Sequence, residues 1–398
     1  MNEEPNLEQL RLTALTLLKS VEPLKERTIV SLIQTSLNNN LRIKLLRGFR
    51  GVGKTTVMLQ LFGKNPAKSL YFSADHPIIQ RWGIYEIGQL AIKYGYTTLF
   101  IDEVHTYPEW KNAIKVLHDQ NPAIKIVASG SAPLALTPER REELHSLRPL
   151  DLGEFALLSD RTLSAVKDEW KNKEHTIQFI ASNPDVQGMF SQYSKTGGFP
   201  LSLGLEESNA LDAVYYSIKK SIREDAVFFL KMSNEKVFAM ENLINFLATS
   251  KPGELSITSL ASTLSVSKTI IYEIIDALEK MEIIRIIKPY AKGAALVRAE
   301  PKLLFFHPNL RFAVSRQLGI IPEKGAIREE LAVFGFTERG WSVNTVKGEK
   351  KSPDYIVEKG SEYFTIEIGG ESKKRAQLKN HRNGLILTEY QLLPLLVK

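Results

Sequence analysis

The segment Gly48–Thr55 carries the strongest chemical pattern in the sequence. It reads Gly-Phe-Arg-Gly-Val-Gly-Lys-Thr and matches the phosphate-loop pattern G-x-x-x-x-G-K-[ST]. Its glycines allow backbone N–H groups to turn inward around phosphate oxygens, and the helix predicted to follow would point its positive dipole end at them. Lys54 can reach the β- and γ-phosphates, and the Thr55 hydroxyl can bind Mg²⁺. The segment therefore predicts a site for a nucleotide and Mg²⁺.

An acidic pattern follows further along the chain, where the apolar run Leu99–Ile101 ends in Asp102 and Glu103. A strand that ends here would carry both carboxylates to the edge of a sheet where ligands bind. Asp102 can hold Mg²⁺ directly or through water, and Glu103 is placed to orient and polarise the water that attacks the γ-phosphorus. Ser131, after the next apolar run, is predicted to contact the γ-phosphate or that water; a turn serine is the alternative.

Three arginines are candidates for the cation that stabilises charge in the transition state. They are Arg140, Arg141 and Arg148. The alternative for each of them is a place on a helix of mixed charge.

The elements that must position these residues follow from the apolar pattern. Strands are predicted at 43–47, 69–73, 98–101 and 125–129. Helical patterns lie between them, and strands that alternate with helices indicate an α/β fold with a mostly parallel sheet covered by helices on both faces. Near the N-terminus, apolar residues in Leu7–Val21 recur at helical spacing, and Pro23 is predicted to end that helix.

Taken in order, several motifs resemble those of archaeal and bacterial AAA-type ATPases of the AAA+ superfamily. They are the phosphate loop, Phe72–Asp75, Leu99–His105 with Trp110, Ala128–Ser131, Leu147–Leu150 with Glu154 and Phe155, and Gly197–Pro200. The resemblance spans most of the chain. It implies an α/β P-loop NTPase core of the AAA+ type with ATP and Mg²⁺ as cofactors, then a helical lid, a winged helix-turn-helix and a small α/β restriction-endonuclease-like domain of unknown function.

The same resemblance makes Arg141 the stronger candidate for the transition-state cation. The family usually has a Gly-Arg pair shortly before its Pro-Leu motif, whereas this chain has Arg140 and Arg141 there, so the glycine is not kept. Action within its own chain and action on a neighbour both stay open. The predicted catalytic residues are Glu103, Lys54 and Arg141. The predicted cofactor-binding residues are Gly48, Phe49, Arg50, Gly51, Val52, Gly53, Lys54, Thr55, Thr56, Asp102 and Ser131.

Residues 257–279 look like two helices joined by a tight turn, with Ser267 as the N-cap of the second helix. A strand at 283–287 and a partner strand at 294–297 would form a wing. The segment therefore resembles a winged helix-turn-helix.

A DNA-reading version of this module would present Lys268, Thr269 and Tyr272 from its second helix to the major groove. Glu273 and Asp276 on the same helix carry negative charge, which repels the phosphates of DNA. A packing or protein-interaction module is the alternative.

The C-terminal segment is similar to the PD-(D/E)xK nuclease fold, with carboxylates at Glu329, Asp354 and Glu367. Asp354 and Glu367, on adjacent predicted strands, can hold a second metal ion that activates water for phosphodiester cleavage. The lysine expected two residues after Glu367 is replaced by Gly369. Side chains from the next helix can substitute: Lys373 or Lys374, with Gln377. Without such a substitute, the site would not cleave phosphodiesters and the domain would act only in binding.

Composition narrows the chemistry further. The chain has 398 residues, a net charge of +7 and no cysteine. The lack of cysteine excludes disulfides, iron–sulfur clusters, thiolate zinc sites and cysteine nucleophiles. The bulk charge is a weak argument for nucleic acid; the basic segment 371–382 is a more specific one, with a solvated helix face as its alternative. Without a signal peptide or an apolar run of about 18 residues, we expect no membrane and a cytoplasmic location.

The sequence predicts four domains: an ATPase core (1–155), a helical lid (156–245), a winged helix (246–317) and a nuclease-like domain (318–398). ATP hydrolysis would drive a conformational switch in which a changed contact between core and lid repositions the C-terminal parts, in connection with DNA binding or processing. One alternative is an ATP-gated, metal-dependent DNA nuclease. Another is an ATP-dependent signalling or assembly protein without nucleic acid. A homo-oligomer or a protein partner is compatible with each hypothesis.

Overall fold

The computed structural model describes residues 4–130, 138–164, 168–227, 231–251, 253, 256–290, 300–346, 352–370, 378, 381 and 383–398. The chain forms two compact units, Met1–Arg148 and Pro149–Lys398. The division between them lies close to the end predicted for the ATPase core. The bounds predicted at 245 and 317 lie inside the second unit and stay predictions. No helix in the described ranges has the length and apolar character that a membrane span needs.

A five-stranded parallel sheet with intervening helices forms the first unit. The strands are β1 (Ile43–Arg47), β2 (Ser69–Ser73), β3 (Thr98–Asp102), β4 (Lys125–Gly130) and β5 (Glu142–Ser146), in the spatial order β2-β3-β4-β1-β5. The helices are α1 (Leu7–Val21), α2 (Thr28–Asn39), α3 (Lys54–Gly63), α4 (Pro77–Trp82), α5 (Ile84–Lys93) and α6 (Trp110–Gln120). Every strand pairing is parallel, so the carboxyl ends of the strands meet at one edge of the sheet. Open α/β sheets bind their ligands at that edge.

The four predicted strands and the N-terminal helix are confirmed. β1 to β4 are buried along almost their whole length, as expected of strands that helices cover on both faces. α1 buries Leu10, Ala14 and Val21 and ends before Pro23, which cannot continue a helix. Local apolar spacing was sufficient to define these elements because each of them is both short and strongly periodic.

The alternative of a mixed-charge helix for Arg140 and Arg141 does not hold, because Glu142–Ser146 forms β5 at the edge of the sheet. β5 pairs with β1 along its whole length and stays half-buried, as an edge strand can. Glu143 reaches the buried Lys44 of β1, with 2.7 Å between Oε2 and Nζ. The hydrogen bond from Lys44 lowers the pKa of Glu143 to about 2. A charged sequence therefore forms a strand here through backbone pairing and a cross-strand ion pair.

The second unit combines helices with two small sheets. Its helices are α7 (Leu152–Leu158), α8 (Lys173–Ser182), α9 (Val186–Gln192), α10 (Glu207–Lys220), α11 (Asn234–Thr249), α12 (Ile257–Thr263), α13 (Lys268–Lys280), α14 (Pro308–Gln317), α15 (Lys324–Glu338) and α16 (Glu389–Leu395). Its strands are β6 (Ile284–Ile287), β7 (Lys302–Phe305), β8 (Ser342–Thr345), β9 (Tyr355–Lys359), β10 (Glu362–Ile368) and β11 (Gly384–Leu387). Turns of π-helix lie at Tyr193–Gly197 and Ser221–Asp225.

The two sheets of this unit differ in size and pairing. β6 and β7 form an antiparallel pair, and the partner strand predicted at 294–297 lies outside the described residues. β8 to β11 form a sheet in the order β11-β10-β9-β8, in which β10 and β11 are parallel and the other neighbours antiparallel. The strands predicted near Tyr355 and Phe364 are β9 and β10 and are confirmed, whereas β8 and β11 were not predicted.

The predicted lid motif Gly197–Pro200 is anchored to the start of α14. The Gly198 N–H donates to Asn309 Oδ1 at 2.5 Å, and the Asn309 amide donates to the Ser194 carbonyl at 2.8 Å. A Cβ on Gly198 would overlap the His307 ring, so only glycine fits there. Burial lowers the pKa of His307 to about 3, so this ring is neutral near neutral pH. The segment before α10 therefore packs tightly against the start of α14.

Candidate nucleotide-binding site

The loop between β1 and α3 follows a backbone path that favours glycine. Gly51 and Gly53 have φ angles of 83° and 92°, in the left-handed region that side chains disfavour. α3 begins at Lys54, directly after the loop. The first N–H groups of a helix have no partner within that helix, so this helix end is suited to hold an anion.

Lys54 lies at the centre of the loop. Its ammonium donates hydrogen bonds to the carbonyls of Gly48 and Phe49 at 2.9 and 3.1 Å, and the residue is 5% exposed. A cation in so sheltered a place attracts phosphate oxygens more strongly than one in water.

Asp102 is the polar centre beneath the loop. Its Oδ2 accepts hydrogen bonds from the Thr55 hydroxyl at 2.7 Å and from the Tyr71 hydroxyl at 2.9 Å. Its Oδ1 accepts from the Glu103 N–H at 3.0 Å and from the Ser129 hydroxyl. Asp102 is buried at the end of β3. The structure thus brings together Thr55 and Asp102, the two residues that the sequence associates with Mg²⁺.

Tyr71 and Ser129 are site residues that sequence reasoning missed. They lie in β2 and β4, the two strands that flank β3. The register of these strands places both hydroxyl groups next to the Asp102 carboxylate. Burial, and then the Asp102 carboxylate, raise the pKa of Tyr71 well above its ordinary value, so the phenol stays protonated and donates. The sequence offered one signal for both residues: each is a polar side chain in an otherwise apolar strand that neighbours β3.

Glu103 follows Asp102 with a φ of 49°, an unusual backbone angle for a residue with a side chain. Its side chain is 26% exposed, and Oε2 lies 3.2 Å from Nε2 of the buried His105. The Thr106 hydroxyl donates to the Glu103 carbonyl at 2.8 Å. Strained backbone angles persist where the surroundings fix them, and here they direct the Glu103 carboxylate towards His105.

Arg27 belongs to none of the sequence motifs, but it stabilises the phosphate loop through hydrogen bonds to backbone carbonyls. Its guanidinium donates to the carbonyls of Val52 at 2.9 Å and Arg148 at 3.1 Å, and the residue is buried. Arg27 thereby ties the phosphate loop to the chain that follows β5. Its role depends on two carbonyls distant in sequence, which no local pattern reveals.

The structure does not bring Arg141 to the phosphate loop of its own chain. Arg141 directly precedes β5, and its guanidinium lies 2.5 Å from Asp119 Oδ2 at the surface. β1 and β5 run parallel, so the loop after β1 lies at the opposite edge of the sheet. A strand of this length separates the two edges by roughly 15 Å. Arg140 directly precedes Arg141 in the chain. Arg148 lies after β5, at the same edge of the sheet as the phosphate loop. Ser131 lies outside the described residues.

In the second unit, Asp354 directly precedes β9 and Glu367 lies in β10. The antiparallel register of these strands ends with the pair Tyr355 and Ile366, and Asp354 and Glu367 are the residues next to that pair. The Ile368 N–H donates to Asp354 Oδ2 at 2.7 Å, and Glu367 is fully buried. Within the described residues, no group of three or more His, Cys, Asp or Glu side chains is arranged to hold a metal ion.

Glu329 of α15 has other partners. Its carboxylate accepts hydrogen bonds from Lys302 and from the Tyr355 hydroxyl. Burial raises the pKa of Glu329, and Lys302 opposes that shift. Sequence reasoning missed Lys302, a lysine of β7 that lies beside this carboxylate. Lys373, Lys374 and Gln377 lie outside the described residues.

The outer face of α13 carries the side chains predicted to read DNA. Lys268, Thr269 and Tyr272 are exposed there. The carboxylates of the same helix are paired with lysines: Glu273 with Lys236 of α11, and Asp276 with Lys280.

Comparison with known proteins agrees with the fold of the first unit. Residues 40–156 match the family model of the AAA domain, and residues 187–320 match a domain of unknown function, DUF8612. The uncharacterized protein MJ1637 of Methanocaldococcus jannaschii is 25% identical over 378 residues, covering 86% of this chain and 79% of that protein. The AAA match and the phosphate loop on a five-stranded parallel sheet support a P-loop ATPase of the AAA+ type.

Two solved structures show a more distant similarity. The Pyrococcus horikoshii protein PH0952, a Signal Transduction ATPase with Numerous Domains (STAND) protein with a tetratricopeptide repeat sensor, is 14% identical with a TM-score of 0.29. That match covers 77% of this chain and 45% of PH0952. The Thermotoga maritima RuvB Holliday junction branch migration motor is 14% identical with a TM-score of 0.29, covering 74% of this chain and 95% of RuvB.

Proposed function

We propose that this protein is an Mg²⁺-dependent ATPase in which ATP hydrolysis drives a conformational switch linked to DNA. The hydrogen bond between Thr55 and Asp102 carries the proposal, because it joins the two oxygen ligands expected for Mg²⁺ beneath a phosphate loop. Lys54 supplies a sheltered positive charge for the phosphate oxygens. Positioning and electrostatic stabilisation, rather than covalent chemistry, would account for the rate.

The side chains around Asp102 fit Mg²⁺. This ion prefers oxygen ligands, takes one or two carboxylates and completes its shell with water and substrate phosphates. Asp102 offers the carboxylate and Thr55 the hydroxyl, while Tyr71 and Ser129 hold the carboxylate in place. When bound, the ion neutralises charge on the β- and γ-phosphates.

We assign the positioning of the attacking water to Glu103. Its carboxylate is partly exposed next to Asp102, and it can therefore accept a hydrogen bond from water. His105, buried and 3.2 Å away, orients the Glu103 carboxylate. A fixed carboxylate at this place aligns the water with the γ-phosphorus.

Arg141 can serve as the transition-state cation only at the phosphate loop of a second copy, because its own loop lies at the opposite edge of the sheet. Any role of Arg141 in hydrolysis therefore depends on a homo-oligomer. Within the chain, Arg148 is the candidate, since it lies at the edge of the sheet where the loop is.

The outer face of α13 supports the link to DNA. Its carboxylates, Glu273 and Asp276, each have a lysine partner, so they repel phosphate less than unpaired carboxylates would. Lys268 is exposed at the start of the helix and is the residue proposed to contact the phosphate backbone.

Double-stranded DNA should raise the rate of ATP hydrolysis, and the effect should weaken with salt. For a few phosphate contacts, the apparent DNA affinity should fall about 10- to 100-fold between about 50 and 200 mM salt, because the displaced counterions gain less entropy when they enter a more concentrated salt solution. Lys268→Glu should weaken the stimulation, while the exposed Lys93→Glu on the first unit makes the same charge change and should not. If DNA does not change the rate of ATP hydrolysis at either salt concentration, the link to DNA is refuted. If the protein does not hydrolyse ATP at all, the ATPase assignment is refuted.

The position of Asp354 next to β10, where the Ile368 N–H donates to it, favours a second function with Glu367, a metal-dependent nuclease in the C-terminal segment. Asp354 and Glu367, the residues next to the last β9–β10 pair, would hold the metal ion. The ion would generate a hydroxide nucleophile for phosphodiester cleavage. Lys302, which forms an ion pair with Glu329, could take the place of the lysine missing at Gly369.

If this segment is a nuclease, the protein should nick supercoiled plasmid in the presence of Mg²⁺ or Mn²⁺, and Asp354→Ala should lose that activity. Loss of a metal ligand removes the activated water, so a decrease of at least about 100-fold is expected. Glu358→Ala, in the same strand, is the control and should nick like the parent. Intact plasmid after incubation of the parent with either metal would rule this second function out.

A further inference from the structure

A cavity of about 430 Å³ opens between α9, α15 and α16 of the second unit. Its volume lies within the range of small-molecule sites in proteins. None of the residues that carry the proposed ATPase or nuclease function lines it. The cavity therefore needs an explanation of its own.

Aromatic rings from three helices line the cavity: Phe190 of α9, Phe312 of α14 and Tyr390 of α16. Phe190 and Phe312 are half-buried, and Tyr390 is 42% exposed. Leu331 and Leu393 are buried beside them. This lining offers flat apolar surfaces that a planar ring can cover.

Three cations line the same cavity. Arg328 has its guanidinium 2.7 Å from Glu389, which also lines the cavity, and Lys195 lies 3.2 Å from Glu207, which does not. Lys324, one helical turn before Arg328 in α15, is exposed and makes no ion pair with a described carboxylate. Positive charge therefore exceeds negative charge at the cavity, which favours an anionic ligand.

We propose that this cavity binds a nucleoside phosphate, either a free mononucleotide or the end of a single strand. The base would stack on the aromatic lining, which every base can do because each has a π-face. Lys324 and Lys195 would receive the phosphate. A simple inorganic anion would leave the rings uncovered, and a neutral apolar ligand would cover Lys324 without neutralising its charge. A nucleoside phosphate satisfies both parts of the lining.

The test is fluorescence anisotropy of a labelled, 5′-phosphorylated thymidine tetranucleotide with the full chain, with AMP as the competitor. We expect binding that weakens about tenfold in Lys324→Glu, through lost charge attraction, and about tenfold in Tyr390→Ala, through lost stacking. Lys93→Glu, which changes the net charge equally at a distant exposed site, should bind like the parent. Lys54→Ala and Lys268→Glu, which alter the phosphate loop and the α13 face, show how much of the signal comes from those two sites.

The pattern of losses decides the assignment. AMP that displaces the tetranucleotide and binds at least as tightly indicates a mononucleotide site, whereas a much tighter tetranucleotide indicates a strand end; both results support the cavity. Equal weakening in Lys93→Glu would show bulk electrostatics only. Binding that disappears in Lys54→Ala would belong to the phosphate loop, and parent-like binding in both Lys324→Glu and Tyr390→Ala would also overturn the proposal. ATP hydrolysis, measured on the same variants, reports on the ATPase separately.

Discussion

Replacement of Lys54 by alanine should lower the rate of ATP hydrolysis by about 10²–10³-fold or more, the size of effect seen when one fixed donor to developing charge is removed. The ammonium of Lys54 is held inside the loop by the carbonyls of Gly48 and Phe49. It is almost inaccessible to water, and its attraction for phosphate oxygens is correspondingly strong. Alanine removes that charge and leaves the two carbonyls without this donor.

A phosphate-release assay at saturating ATP measures this effect, and Lys64→Ala is the matched control. Lys64 directly follows α3 and pairs with Glu26 at the surface, so its removal changes the net charge equally without touching the loop. Thermal unfolding of both variants shows whether the chain still folds. Turnover of folded Lys54→Ala at the rate of Lys64→Ala would refute the ATPase assignment.

A companion variant, Glu103→Gln, separates nucleotide binding from hydrolysis. Glutamine keeps the shape of the side chain but loses the negative charge that orients and polarises water, so ATP should bind and persist. Bound nucleotide extracted after a chase with unlabelled ATP should then be ATP in Glu103→Gln and ADP in the parent. The exposed Glu109→Gln, a few residues away, should behave like the parent. ADP recovered from Glu103→Gln would take the water-positioning role away from Glu103.

The first unit could be predicted largely from sequence, because its signals are local. Apolar runs marked four strands, and the loop Gly48–Thr55 marked the strand-to-helix turn between β1 and α3. Since parallel strands end at a common edge, the order of the motifs alone was enough to expect the carboxylate of Asp102 near that loop. The hydrogen bond from Thr55 to Asp102 shows how near it lies.

The remaining features depend on neighbours that are distant in sequence. Tyr71 and Arg27 reach the site through sheet register and through carbonyls far along the chain. β5 has no apolar signal because it is an edge strand with an ion pair to Lys44. Lys302 lies beside Glu329 only because β7 packs against α15. No window of local sequence contains both partners of these contacts.

Loss of one partner of the buried ion pair between Arg311 and Glu330 should destabilise the second unit by about 3–5 kcal/mol, because an uncompensated charge would stay buried. Both side chains are 0% exposed, and Arg311 Nη2 lies 2.7 Å from Glu330 Oε1. Arg311 also donates to the Leu247 carbonyl at 2.9 Å, and Glu330 accepts from the Phe305 N–H at 3.0 Å. The pair thereby joins α11, β7, α14 and α15. Burial raises the pKa of Glu330, and Arg311 opposes that shift.

Urea unfolding followed by tryptophan fluorescence measures the loss in Arg311→Met, and Arg316→Met on the same helix is the control. Arg316 lies 3.2 Å from Asp212 in an exposed pair, whose removal should cost less than about 1 kcal/mol. The double variant Arg311→Met, Glu330→Met should recover part of the stability, because no buried charge is then left alone. If Arg311→Met and Arg316→Met cost the same, the charge of Glu330 would already be compensated elsewhere. Packing around α14, and not the ion pair, would then hold these four elements together.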